Sequence, residues 1–284
     1  MSGNQGINDK FSLENLYSVK GRVALITGGG SGIVYITGRT SEKLDKVAEL
    51  YGKGIAGEII PIQADITKKD SIRSLVKEIS SKEKCLCILI NNAGIELNTQ
   101  QTEAEHSKEM AENLFEDENE TFDLWKDTFG TNVAQLFFMT TAFLPLLQKA
   151  SDIHHGYSGT VINITSISGV VKTSQHHFAY NASKAAAIHV NTMLSNEVAA
   201  NGLKVRINGI APGVFPSEMT AGESGEDQKS HIPKEKYEDK TAARRPGKEE
   251  DMANAILFAA TNQYLNGQNV IVDGGYVITA GAGP

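Results

Sequence analysis

RVALITGGGSGIVYITGR, residues 22–39, is the stretch on which the reading of the fold turns. Residues 22–27 are a short, continuously apolar run, the pattern of a strand covered on both faces. The run passes directly into Gly28, Gly29, Gly30, Ser31 and Gly32. Glycines after a strand permit a tight turn and let backbone N–H groups approach a pyrophosphate closely. VYIT at 34–37 reads as a second strand, so only six residues, 28–33, separate the two. Adjacent parallel strands ordinarily need a crossover of about a dozen residues or more, usually a helix. Either 34–37 is not a parallel neighbour of 22–27, or the crossover helix is missing. In the second case we expect a spatial break near Ile33–Val34, or bare apolar sheet where the helix belongs.

Working outward, further apolar runs fall at 58–63, 86–91, 160–165, 204–210 and 269–274, giving seven strand candidates in all. Helical patterns alternate with them near 41–52, 68–82, 120–149, 176–200 and 248–261. This βαβα order predicts an α/β fold: a doubly wound, mostly parallel seven-stranded sheet with helices on both faces. There is no repeat and no Pro/Gly-rich linker. Residues 1–20 read as a polar extension and 21–284 as a single Rossmann-type domain.

The chain has 284 residues and a net charge of -7. That acidity argues against nucleic acid, whose phosphates need a basic surface. No apolar run approaches the ~20 residues of a membrane helix. The first twenty residues lack an apolar stretch of signal-peptide length, so a cytoplasmic location is expected. Cys85 and Cys87 sit two apart in CLCILI and point the same way if that run is a strand. They read as small buried hydrophobes, and no metal site is expected.

Gly38-Arg39 ends the second strand with a cation and no carboxylate. A carboxylate there binds an adenosine ribose hydroxyl, whereas an arginine accommodates a 2′-phosphate. Arg39 therefore favours NADP over NAD; the bland alternative is a surface cation. Asp65, past the third strand, either accepts from an adenine amino group or caps the helix starting near Thr67. Tyr180 and Lys184, in YNASK, share one helix face at a spacing of four. A tyrosine titrates near about 10, and a neighbouring ammonium favours its phenolate. Such a pair suits proton exchange with a carbonyl or alcohol. Ser166, at the end of TVINITS, sits where open parallel sheets bind ligands and can hydrogen-bond a substrate oxygen.

With TGGGSGI (27–33), NNAG (91–94), Asn132 in TNV, NITSISG around Ser166, YNASK (180–184), APGVFPS (211–217) and VDGG (272–275) in this order, the chain resembles the short-chain dehydrogenase/reductase family from about Gly21 to Tyr276. The resemblance implies a reductase or alcohol dehydrogenase acting on a small carbonyl or alcohol. It casts Tyr180 as proton donor and acceptor. Ser166 orients the reacting oxygen, Lys184 lowers the Tyr180 pKa and holds the nicotinamide ribose, and Asn132 holds a relay water. The cofactor contacts it implies are Gly28, Gly30, Ser31, Gly32 and Ile33 at the phosphates and Arg39 at the 2′-phosphate. Asp65, Ile66, Asn92, Ala93 and Gly94 fall on the adenosine side, and Pro212, Gly213, Val214 and Ser217 at the nicotinamide carboxamide. It further implies a homodimer or homotetramer built on the helices near 120–149 and 176–200. The departure is at 33–34: the third glycine, the helix and its return loop are absent. That leaves a second reading, a catalytically impaired member acting as a structural or oligomeric partner.

None of the seven histidines matches a catalytic position, and they read as solvated loop residues; for His176 and His177, just before Tyr180 in sequence, a substrate contact is the alternative. Residues 97–121 read as a solvated helix or mobile loop, and 214–243 as a lid or a plain surface loop.

Overall fold

The computed structural model describes residues 11–27, 33–222 and 224–280. Seven strands build one sheet: β1 (Val23–Thr27), β2 (Ile33–Gly38), β3 (Glu58–Gln63), β4 (Ile88–Asn91), β5 (Gly159–Ile164), β6 (Val205–Pro212) and β7 (Asn269–Val272). Their order is β3-β2-β1-β4-β5-β6-β7, and every adjacent pair is parallel. The order reverses between β1 and β4, the switch point beside which open α/β sheets bind ligands.

The helices are α1 (Leu13–Leu16), α2 (Ser41–Tyr51), α3 (Lys69–Lys82), α4 (Ser107–Phe115), α5 (Phe122–Phe129), α6 (Gln135–Ile153), α7 (Phe178–Ala200), α8 (Glu218–Ala221), α9 (Glu249–Thr261) and α10 (Tyr276–Ala280). Successive strand residues face opposite sides. Val23, Leu25, Tyr35, Leu89 and Val161 therefore pack with α3, α6 and α7 through Leu75, Ile79, Met139, Phe143 and Leu194. Ala24, Val34, Ile36, Ile88 and Ile162 belong to the opposite core, with Leu44 of α2 and Ala259 and Ala260 of α9. Coverage on both faces is why the strand sequences are continuously apolar rather than alternating.

The helix expected over 120–149 is three segments. A π-helical turn at Gly130–Ala134 separates α5 from α6, and α6 runs on to Ile153. By length and composition Phe122–Ile153 could cross a membrane. Its Leu136, Met139, Phe143 and Leu147 are nevertheless fully buried in this domain.

β1 and β2 are parallel neighbours, with Val23 opposite Ile33 and Thr27 opposite Thr37. The expected break at Ile33–Val34 is not found, because both residues lie in one strand. The span explains why. From Thr27 back to Ile33 is roughly 13 Å along the strands and about 4.8 Å across. The six links through residues 28–32 reach about 20 Å. That length closes the connection, while six links are too few to carry a crossover helix as well; residues 28–32 themselves lie outside the described residues. Bare sheet is not found either. Val34, Ile36, Ile88 and Ile90 are buried, and Leu44, Val47, Ala48, Val19, Cys85 and Cys87 belong to the same cluster.

Candidate active site

The carboxyl ends of the strands bring the expected catalytic residues together. Ser166 follows β5 and caps a short 3₁₀ turn, its hydroxyl accepting from the Ser168 N–H at 3.1 Å. Tyr180 lies in the first turn of α7, and one helical turn on, Lys184 is buried. Ser166 hydrogen-bonds the Tyr180 hydroxyl, which favours the phenolate, but burial outweighs it and pushes Tyr180 up to about 12. Lys184 Nζ donates to the Ile164 carbonyl at 3.2 Å and stands 5.5 Å from the Tyr180 ring centre. Burial pushes Lys184 down to about 8. The expected lowering of Tyr180 by Lys184 is therefore not what dominates here; desolvation of both groups does.

Asn132 lies in the π-helical turn, a distortion common at functional sites. Its Oδ1 accepts from the Ile95 N–H at 2.8 Å, and its Nδ2 donates to the Ile95 carbonyl and to Ser183 Oγ, both at 2.9 Å. Ser183 in turn donates to the Tyr180 carbonyl, so Asn132 fixes the catalytic helix to the segment after β4. In that segment a Cβ on Gly94 would stand 3.2 Å from Asn132 Oδ1 and 3.5 Å from Lys184 Nζ. Only glycine keeps a side-chain-free strip beside the lysine.

Several supporting groups escaped the sequence reading. Thr27 Oγ1 accepts from the N–H groups of Asn92 and Ala93 at 2.7 and 2.9 Å, and Asn92 Nδ2 donates to the Thr27 carbonyl. The end of β1 thus shapes the Asn92–Gly94 turn. Asn91 donates to Asn163, and Asn163 to Asn191, at 2.8 and 2.9 Å, a buried amide chain joining β4, β5 and α7. His177 Nδ1 lies 2.8 Å from Glu96 and 3.1 Å from the Asn98 carbonyl. Burial raises the Glu96 pKa, with His177 opposing, and the Glu96 charge in turn disfavours the Tyr180 phenolate. The one sequence hint of this pair was the position of His177 just before Tyr180.

The polar stretch 97–121 is not merely solvated. The Gln100 N–H donates to the His176 carbonyl, and Thr102 contacts His176 Nδ1 at 3.0 Å. His176 and Gln175 take φ values of 69° and 52°, unusual for non-glycine residues. The histidines expected near substrate thus hold a loop over the catalytic helix. Within 214–243, Ser217 caps α8 and Glu218 pairs with Lys43 of α2 at 2.7 Å.

The expected cofactor residues divide. Gly28, Gly30, Ser31 and Gly32 lie outside the described residues. Ile33 opens β2, at the end of the sheet away from Tyr180. Arg39 follows β2 at the carboxyl end and is exposed, with no ion pair for its guanidinium among the described residues. The Asp65 carboxylate accepts from the Thr67 N–H and hydroxyl at 3.0 and 2.6 Å, which holds its pKa below the ordinary value; this closes a local turn rather than capping the helix, whose N-cap is Lys68. Ile66 is buried. Pro212 ends β6, and the Gly213 N–H donates to the Val272 carbonyl at 2.9 Å. A Cβ on Gly213 would come within 2.8 Å of Asp273, so the chain passes there only as glycine. A free guanidinium at one end, a bare glycine strip beside a buried lysine, and the Pro212–Val214 turn fit a dinucleotide laid across the strand ends.

A family model described as enoyl-(acyl carrier protein) reductase matches residues 27–277. The chain belongs to the short-chain dehydrogenase/reductase family of oxidoreductases. Among its relatives, the short-chain dehydrogenase/reductase PhomF of Diaporthe leptostromiformis is 35% identical, covering 92% of this chain and 93% of that protein. A 3-oxoacyl-[acyl-carrier-protein] reductase of Synechocystis is 29% identical over 90% of this chain and 97% of the relative. The Pseudomonas aeruginosa RhlG/NADP active-site complex superposes with a TM-score of 0.72 at 27% identity, covering 92% of this chain and 98% of that one.

Proposed function

We propose that the chain is an NADP-dependent reductase interconverting a ketone and a secondary alcohol, with Tyr180 as general acid and base. The observation that supports this best is the hydrogen-bonded Ser166–Tyr180 pair beside buried Lys184 at the strand ends. When bound, the nicotinamide supplies or accepts the hydride at the carbonyl carbon. Ser166 holds the reacting oxygen. Tyr180 gives that oxygen its proton on reduction and takes it back on oxidation. The Lys184 ammonium, when charged, offsets the phenolate left behind and binds the ribose. Asn132, through Ser183, keeps the helix in register and holds the relay water.

Arg39 meets the 2′-phosphate, while Asp65, Ile66 and Asn92–Gly94 line the adenosine side. Pro212, Gly213, Val214 and Ser217 meet the carboxamide. NADP complexes among the similar structures, and 3-oxoacyl reductases among the relatives, support both the cofactor and a small carbonyl substrate. We further propose a cytoplasmic homodimer or homotetramer that engages neither nucleic acid nor membrane.

Titration of nicotinamide fluorescence tests the cofactor. NADPH should bind more tightly than NADH, and Arg39→Ala should cost about 1–3 kcal/mol for NADPH alone, as a charge-assisted contact is lost. Equal affinities before and after the change exclude the assignment. One feature favours a second reading, an impaired member acting as a structural partner: only five residues, 28–32, join β1 to β2, too few for a crossover helix. Failure to bind either nucleotide would select it.

A further inference from the structure

At the amino end of the sheet, opposite Tyr180, lies a cluster the reaction does not use. Cys85 and Cys87 precede β4, are both buried free thiols, and belong to the same core as Ala24 and Ile88. His154 follows α6 and brings Nε2 to 3.8 Å from Cys85 Sγ. The Cys85 and Cys87 sulfurs and a His154 ring nitrogen all lie within 4.8 Å of one another.

We propose that Cys85, Cys87 and His154 bind a thiophilic d¹⁰ cation, Zn²⁺ in the first instance. The Cys85–His154 separation suits it. With Zn–S near 2.3 Å and Zn–N near 2.0–2.1 Å, sulfur and nitrogen ligands stand about 3.6 Å apart in a tetrahedral site and about 3.8 Å apart in a planar three-coordinate one. The ligand set suits it as well, because thiolate and imidazole select zinc-like ions over magnesium or calcium. Two thiolates neutralise a divalent cation, so the filled site has no net charge to bury.

Surrounding groups hold the imidazole. The His154 N–H donates to the Ala150 carbonyl, and its carbonyl accepts from the Tyr157 N–H. The Tyr157 ring stands edge-on to the imidazole at 6.1 Å, and its hydroxyl donates to the Cys87 carbonyl at 3.1 Å. The Arg22 guanidinium lies over the Tyr157 ring, 4.1 Å from its centre. The cation would join the entry of β4 to the turn between α6 and β5.

The full-length chain, reduced and freed of metal, is titrated with Co²⁺ as a spectroscopic stand-in and then with Zn²⁺. A thiolate-to-cobalt charge-transfer band should saturate at one equivalent and vanish as Zn²⁺ displaces the probe. Zn²⁺ should also raise Tm, because a ligand held only by the folded state stabilises it. Cys85→Ser and Cys87→Ser should each abolish the band. His154→Gln, at a partly exposed position outside the strands, guards against misfolding. It should leave the metal-free Tm in place and weaken Zn²⁺ by more than about tenfold, the least that losing even a supporting partner costs a metal site. Absence of the band, its survival in the serine variants, or unchanged Zn²⁺ affinity in His154→Gln would overturn the site. So would a Cys85–Cys87 disulfide in freshly purified protein.

Discussion

At the scale of single residues, the site is defined by how little water it admits. Tyr180 keeps its proton up to about pH 12, while Lys184 loses its own near pH 8. Tyr180→Phe keeps the ring but removes the transferable proton. It should lower kcat about 10²-fold or more with NADPH affinity nearly unchanged. Normal turnover by this variant would exclude the mechanism. Lys184 gives a second test, with a definite sign. Its folded pKa, about 8, lies below its ordinary 10.5, so between these values the unfolded chain binds more protons. Stability gained from this group therefore rises with pH across that window and is flat below it. Denaturant midpoints at pH 7.5 and 10 should differ more favourably in the native chain than in Lys184→Met. Identical differences would mean the lysine is not desolvated.

Tyr180, Lys184 and Ser166 were legible in the sequence because one helical turn and one strand end fix their positions locally. The Glu96–His177 pair, the Thr27 bridge and the Asn91–Asn163–Asn191 chain were not. Their partners lie far apart along the chain, and ordinary asparagines and threonines give no signal until the sheet aligns them.

At the scale of elements, seven strands and five helices were readable from apolar runs, and the π-helical turn was not. GTNVA has no composition that separates it from α-helix. The first crossover is the instructive case. Sequence length leaves no room for a crossover helix, but the inference of a break assumed a wider span than five paired residues require. A family-length helix inserted between Gly32 and Ile33 would add N-terminal N–H groups aimed at a pyrophosphate. NADPH affinity should rise about tenfold or more, roughly 1.4 kcal/mol. Tm should move little, because Val34 and Ile36 are already buried. Unchanged NADPH affinity would show that the short connection already serves the phosphates.

At the scale of the whole molecule, large apolar side chains stay exposed on α6 and α7. Phe137 on α6 is 46% exposed and Met193 on α7 is 47% exposed. A groove of about 410 Å³ between α3 and α6 is lined by Ile72, Val76, Phe137 and Phe138. Contiguous apolar surface of this kind marks an interface. Light scattering at micromolar concentration should give a dimer or tetramer, and Phe137→Glu should lower the mass toward one chain. A monomeric native protein would contradict the assembly.

The same short link between β1 and β2 bears on how the chain finds its fold. Parallel neighbours normally meet only after an intervening helix has been brought round, which makes their contacts distant in sequence and slow to form. Here each residue of β1 pairs with one only ten positions further on. The entropy lost in closing a loop grows with its length, by about 0.6 kcal/mol per doubling, so this pair closes at lower cost than one joined through a helical crossover. The β1–β2 pair, on one side of the switch point, can therefore form before α2 docks and becomes an early rather than a late landmark of folding.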